Sequence, residues 1–148
     1  MRLRELLEGT EITALTISPD TEITHVCADS RRARKGSLFA AVPGTLCDGA
    51  LYAQQAVDRG AAGVLCRQEM PGLPCAAVPD VRAALGKIAC TWYENPAARL
   101  TVLGVTGTNG KTTTTYLLRH ILRSAGIKTG LIGTVQNLVE EQMLPARR

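Results

Sequence analysis

The sequence predicts an α/β protein in two parts: a small N-terminal α/β domain over residues 1–95, then the first βαβ unit of a parallel-sheet, phosphate-loop domain over residues 96–148. Three observations predict it. Short apolar runs rich in β-branched residues alternate with stretches of helical spacing, the pattern of strands interleaved with helices. A helical pattern stops at Glu94-Asn95-Pro96-Ala97-Ala98, and a new apolar run begins just beyond it, which marks a linker. That second run leads into a glycine-rich turn and a further amphipathic helix.

In the first part, Leu3 to Glu8 reads as a short helix ended by Gly9. Ile23 to Cys27 alternates as a strand does, and Ser37 to Val42 is a second strand, ended by Pro43-Gly44. Asp48 is placed to cap a helix from Ala50 to Arg59, closed by Gly60. Ala62 to Cys66 and Cys75 to Val78 read as short buried strands. Asp80 caps the next helix, with Val81, Leu85, Ile88 and Trp92 along one face.

In the second part, Leu100 to Val105 reads as a strand apolar on both faces. A helix from Lys111 to Ala125 follows, with Leu117, Leu118, Ile121, Leu122 and Ala125 in one stripe, and Thr129 to Ile132 is the next strand. Strand, helix, strand is one right-handed step of a parallel sheet. One step cannot cover both faces of such a sheet, so this part is expected to open a larger domain.

Composition excludes several classes. With 148 residues, 45% apolar and 20% charged, the chain is neither disordered nor fibrous. One Phe, one Trp and three Tyr leave the core to Leu, Val, Ile and Ala. No apolar run approaches the roughly 18 residues of a membrane span. Glu5 and Glu8 interrupt the N-terminus before a secretory signal can build, so a soluble, cytoplasmic protein is expected. The net charge of +4 is scattered apart from Arg31-Arg32-Ala33-Arg34-Lys35, and with so few aromatics no nucleic-acid partner is expected. Cys27, Cys47, Cys66, Cys75 and Cys90 are odd in number and form no C-x-x-C pair, which favours buried thiols over disulfides or zinc.

The chemistry concentrates in Gly107-Thr108-Asn109-Gly110-Lys111-Thr112-Thr113. A phosphate needs several converging donors, and the N–H groups of a glycine-rich turn supply them where the chain wraps closely. The following helix adds its positive end. Lys111 can reach the β- and γ-phosphates, and the Thr112 hydroxyl can ligate Mg²⁺. The strict pattern asks for Gly where this chain has Val105, so the loop is a variant that binds a nucleoside triphosphate. His25, His120, Asp58, Arg59, Glu140 and Glu141 read as packing or solvated groups.

Gly104-Val105-Thr106-Gly107-Thr108-Asn109-Gly110-Lys111-Thr112-Thr113-Thr114 resembles the ATP loop of the Mur ligases and folylpolyglutamate synthetases. The first part separates the two. Asp29-Ser30-Arg31, Gly36-Ser37-Leu38-Phe39-Ala40-Ala41, Gly44 with Asp48-Gly49, and Gly60-Ala61 resemble the N-terminal UDP-binding domain of MurE-type and MurF-type ligases, which folate enzymes lack. Thr108-Asn109 and Trp92-Tyr93-Glu94-Asn95-Pro96 are closer to the MurE type.

The resemblance implies an ATP-dependent amide ligase that adds meso-diaminopimelate or L-lysine to UDP-N-acetylmuramoyl-L-alanyl-D-glutamate through an acyl phosphate, in peptidoglycan synthesis and cell-wall biogenesis. It implies ATP and Mg²⁺ as cofactors, small-molecule substrates, and a monomer at full length. It covers nearly all of this chain but the first third of a typical MurE enzyme, so the 148-residue chain is expected to lack ligase activity. Carried over by position, Gly107 to Thr113 hold ATP, with Lys111 and Thr112 catalytic and Thr112 on the metal. Ala28, Ser30, Thr45, Leu46 and Cys47 match uridine-nucleotide contacts. The family often has a His in that second loop, whereas this chain reads Thr45-Leu46-Cys47, which leaves backbone contacts there. A MurF-type ligase, a stand-alone uridine-nucleotide module and a small phosphate-loop kinase are the alternatives.

Overall fold

A computed structural model describes residues 1–44 and 47–144. The chain divides into two compact units, residues 1–101 and 102–148.

The first unit is a five-stranded sheet. Its strands are β1 (Ala14–Leu15), β2 (His25–Cys27), β3 (Ser37–Ala40), β4 (Ala61–Cys66) and β5 (Cys75–Ala77), in the order β1-β5-β4-β3-β2. β2 to β5 run parallel, and β1 pairs antiparallel with β5, Ala14 opposite Ala77. Strands buried on both faces read as continuous apolar runs, and all four residues of β3 are buried. Alternation sorts them into two layers. Leu38, Ala40, Leu65 and Ala76 join Leu3 and Leu6 of α1 (Leu3–Leu6) and Val81, Ala84 and Ile88 of α3 (Val81–Trp92) on one face. Phe39, Val64, Cys66, Cys75 and Ala77 pack with Ala53 and Ala56 of α2 (Ala53–Asp58) on the other. Asp80 caps α3 as expected, accepting from the N–H groups of Arg82 and Ala83 at 2.9 and 3.0 Å.

Several boundaries move for local reasons. The strand expected from Ile23 starts at His25, because Ile23 N–H donates to Met1 O and Glu22 pairs with Arg2. β3 ends at Ala40, where Val42 N–H turns back onto Ala40 O. The helix expected from Ala50 begins as a 3₁₀ turn, Gly49–Tyr52, capped by Asp48, and becomes α-helical at Ala53. β1 carries no sequence signal, being two residues long, and exists because Thr13 and Thr16 N–H groups reach Ala77 O and Cys75 O. Of the cysteines expected to be buried, Cys27, Cys66 and Cys75 are, whereas Cys47 and Cys90 are exposed.

In the second unit, α4 (Lys111–Ser124) forms where expected, followed by Ala125 and by Gly126 at φ +77°. β6 (Gly130–Ile132), β7 (Asn137–Val139) and β8 (Gln142–Leu144) make an antiparallel meander. Two expectations are corrected here. Leu100 to Val105 is not a strand, and Leu100, Val102 and Leu103 are exposed. The βαβ step is therefore not formed, and β6 pairs antiparallel with β7 instead. The physical reason is that a β-strand exists only by pairing, and among the described residues none pairs with this run. No described helix is long and apolar enough to cross a membrane.

Candidate functional site

The phosphate loop is built from local geometry. Gly110 stands at the N-cap of α4 with φ +76° and ψ −6°, a conformation that side chains resist. Gly107 also takes a positive φ, +147°. A Cβ on Gly110 would meet nothing within 4 Å, so this glycine is required by backbone shape rather than by crowding. The Lys111 ammonium folds back over the turn and donates to Gly107 O at 2.5 Å and Thr108 O at 3.3 Å. It is exposed and held by two neutral carbonyls, which an anionic oxygen can replace. Thr112 lies exposed in the first turn of α4. Thr115 donates its hydroxyl to Thr112 O at 2.8 Å, and Thr114 N–H donates to Gly110 O, which continues the helix. Four first-turn N–H groups of such a helix have no helical acceptor, and they are available to a phosphate. Gly107, Thr108, Asn109, Gly110, Lys111, Thr112 and Thr113 thus form one continuous exposed loop and helix start.

The second set of candidates belongs to the first unit. Because β2 to β5 are parallel, their carboxyl ends share one edge, where open α/β sheets bind ligands. Ala28 and Ser30 follow β2, and the loop from Val42 follows β3. Ala28 is exposed. Ser30 is 7% exposed, and its hydroxyl donates to Gln55 Oε1 of α2 at 2.6 Å. Between them, Asp29 caps the Ser30–Arg32 turn and accepts from the backbone and guanidinium of Arg31. Those side-chain and backbone hydrogen bonds from Arg31 hold the Asp29 carboxyl down at about 2. Burial first, and then the Arg34 and Arg32 guanidiniums, hold the His25 imidazole below its ordinary pKa.

The loop after β3 is pinned at its base. Pro43 and Asp48 form a bridge, Gly49 N–H donates to Val42 O, and Gly44 N–H donates to Cys47 O. A Cβ on Gly49 would lie 2.7 Å from Val42 N and O, so the two sides close to a distance that only glycine permits. Arg82 of α3 donates through Nη2 to Pro43 O at 2.6 Å. Cys47 is exposed beside this base, while Thr45 and Leu46, the other two candidates of the loop, lie outside the described residues, as does Arg148. Nothing in the sequence pointed to Gln55 or Arg82, because each acts through a contact between elements distant along the chain.

Two family descriptions match: the Mur ligase family catalytic domain over residues 22–93 and the Mur ligase middle domain over residues 105–146. A UDP-N-acetylmuramoyl-L-alanyl-D-glutamate–2,6-diaminopimelate ligase of Caldanaerobacter subterraneus subsp. tengcongensis is 43% identical over 148 residues, 98% of this chain and 30% of that protein. A solved structure of a ligase of the same name superposes with a TM-score of 0.75 at 26% identity, over 98% of this chain and 30% of the other. The MurF ligase of Thermotoga maritima in complex with ADP gives a TM-score of 0.53 at 28% identity, over 70% of this chain and 24% of the other. This chain spans about 30% of the length of the curated relatives it matches.

Proposed function

The chain belongs to the Mur ligase family, and we propose that its two units supply the uridine-nucleotide site and the ATP loop of a cytoplasmic, monomeric ligase. That ligase adds 2,6-diaminopimelate to UDP-N-acetylmuramoyl-L-alanyl-D-glutamate in building peptidoglycan. The observation that carries the reading is the exposed turn from Gly107 to Lys111, with its lysine resting on exchangeable carbonyls at the start of a 14-residue helix. The diaminopimelate ligase is favoured over the MurF type by the greater share of this chain that its structure matches, 98% at a TM-score of 0.75 against 83% at 0.62 for the MurF of Acinetobacter baumannii.

In this reading the substrate carboxylate attacks the γ-phosphorus of ATP and ADP leaves. The amine then attacks the acyl carbon, phosphate leaves and a proton is released. The first step brings two anions together, so neutralisation by fixed donors dominates it. Lys111 and the N–H groups of Gly107 to Thr113 bind and orient the phosphates. Among the described residues no cluster of three or more acidic, His or Cys side chains could hold a metal. The exposed Thr112 hydroxyl fits Mg²⁺ as one hard oxygen ligand, the nucleotide's own phosphates giving others, and the bound ion would neutralise charge between them. Ala28, Ser30, Thr45, Leu46 and Cys47 hold the uridine nucleotide, Cys47 through its backbone.

Calorimetric titration of the 148-residue chain with UDP and, separately, with ATP and Mg²⁺ tests the reading. Independent binding of both supports it. Binding of UDP alone leaves a uridine-nucleotide module, and phosphate transfer to a small acceptor without a UDP substrate would make it a kinase. The chain by itself is expected to show no ligase turnover.

A further inference from the structure

Two loops that leave different strands serve one ligand at lower cost when each is already held in place by the rest of the fold. We infer that Arg82 and Gln55 are positioning residues for the uridine nucleotide, fixing the loops after β3 and β2 without touching the ligand. This rests on reading the carboxyl edge of the first sheet as the nucleotide site.

The case for Arg82 starts from its position. It lies in the first turn of α3, where a cation opposes the helix dipole, so its charge is unfavourable there unless something offsets it. The partner is Pro43 O, at 2.6 Å. That carbonyl lies past the end of β3, beyond the sheet ladder. α3 in turn is rigidly set, by the Asp80 cap and by burial of Val81, Ala84 and Ile88 against the sheet. The guanidinium is therefore presented from a fixed element to one side of the loop base, while Asp48 closes the other side by bridging Pro43 and accepting from Ala50 N–H at 2.9 Å.

Gln55 does the equivalent for Ser30. A serine hydroxyl has one donor and two acceptor sites. Its donor is taken by Gln55 Oε1 at 2.6 Å, so Ser30 is left to act as an acceptor toward a ligand N–H or O–H. Uracil N3–H and the ribose hydroxyls are donors of that kind. α2, which carries Gln55, follows directly on the 3₁₀ turn that Asp48 caps, so the two loops are tied through one short segment.

The test titrates UDP and, separately, ATP with Mg²⁺ into the 148-residue chain and four variants: Arg82→Met, Arg82→Lys, Gln55→Met and Gln55→Glu. The Met variants remove the donor or acceptor and keep the bulk. Each is expected to weaken UDP binding about tenfold while ATP affinity and the thermal midpoint hold. The Lys and Glu variants, which keep a donor and an acceptor, are expected to recover most of the loss. Wild-type UDP affinity in both Met variants overturns the inference. So does a parallel loss of UDP binding, ATP binding and thermal stability, which marks a purely structural role, and so does failure of both conservative variants to recover. If the unaltered chain binds ATP but no UDP, the nucleotide reading of this edge falls first, and the inference falls with it.

Discussion

The two units solve different physical problems with the same alphabet of strands and helices. In residues 1–101 every parallel strand is paired with at least one other and both faces of the sheet are covered, so side chains such as Phe39, Leu38, Leu65 and Ile88 are almost wholly buried. In residues 102–148 only Leu131 and Leu138 are buried among the described residues, and Leu117 and Ile121 of the amphipathic α4 are 58% and 62% exposed. Yet the glycine turn before α4 is formed, with Gly110 at φ +76° and Gly107 at φ +147°. A loop and a helix start are local structures, set by φ angles and by N–H groups within one turn, whereas a parallel strand exists only through partners far along the chain. The lesson is that a turn and a helix start can form locally where the surrounding layer does not.

Mutations sharpen this contrast. Phe39, 1% exposed, anchors the α2 face of the first sheet, and Phe39→Ala is expected to cost about 3–5 kcal/mol in thermal or denaturant unfolding. A loss below about 1 kcal/mol would mean that the first unit is as loosely packed as the second. Lys111→Ala removes an exposed cation, so unfolding is expected to be unchanged while calorimetric ATP affinity drops about 10- to 100-fold. An unaltered ATP affinity would detach the loop from nucleotide binding.

Paired glycine substitutions separate crowding from backbone shape. Gly49→Ala forces a methyl onto the Val42 backbone and is expected to cost about 1–3 kcal/mol in the first unit. Gly110→Ala meets open space and strains φ alone, about 1–2 kcal/mol, and is read in the helicity of α4. Equal and negligible effects at both positions would erase the distinction between the units.

Asp29 gives a smaller, pH-dependent signal. Its carboxyl titrates at about 2 in the fold against 3.8 in an unstructured chain, mainly through its hydrogen bonds from Arg31. A depressed carboxylate stabilises above the higher value, so this contribution is present above pH 3.8 and lost as pH falls towards 2. NMR titration of the Asp29 carboxyl checks it, and a midpoint near the ordinary value would show the turn to be open. The least perturbing test is chemical. Brief alkylation of the native chain should label Cys47 and Cys90, while Cys27, Cys66 and Cys75 stay unmodified, Cys66 also because burial and then Cys75 push its thiol up to about 12. Mass spectrometry that found all five labelled would break the description of the first core.

Much of this was legible along the chain. Asp80 and the apolar spacing behind it announced α3, the glycines announced the turn before α4, and the runs Ser37 to Val42 and Ala62 to Cys66 announced strands, because caps, φ preferences and periodicity act within a few residues. The two-residue β1, the shortening of the Ile23 to Cys27 strand to the three-residue β2 and the unpaired Leu100 to Val105 could not be read that way, since what decides them is whether a partner strand is present. Of the candidate site, residue types and loop positions came from sequence. Tertiary structure alone decided that Ser30 gives its proton to Gln55, that Arg82 holds Pro43, and that Cys47 is exposed. The physical reason is range: torsions and helix ends are chosen by neighbours in the chain, while pairing and side-chain contacts are chosen by neighbours in space.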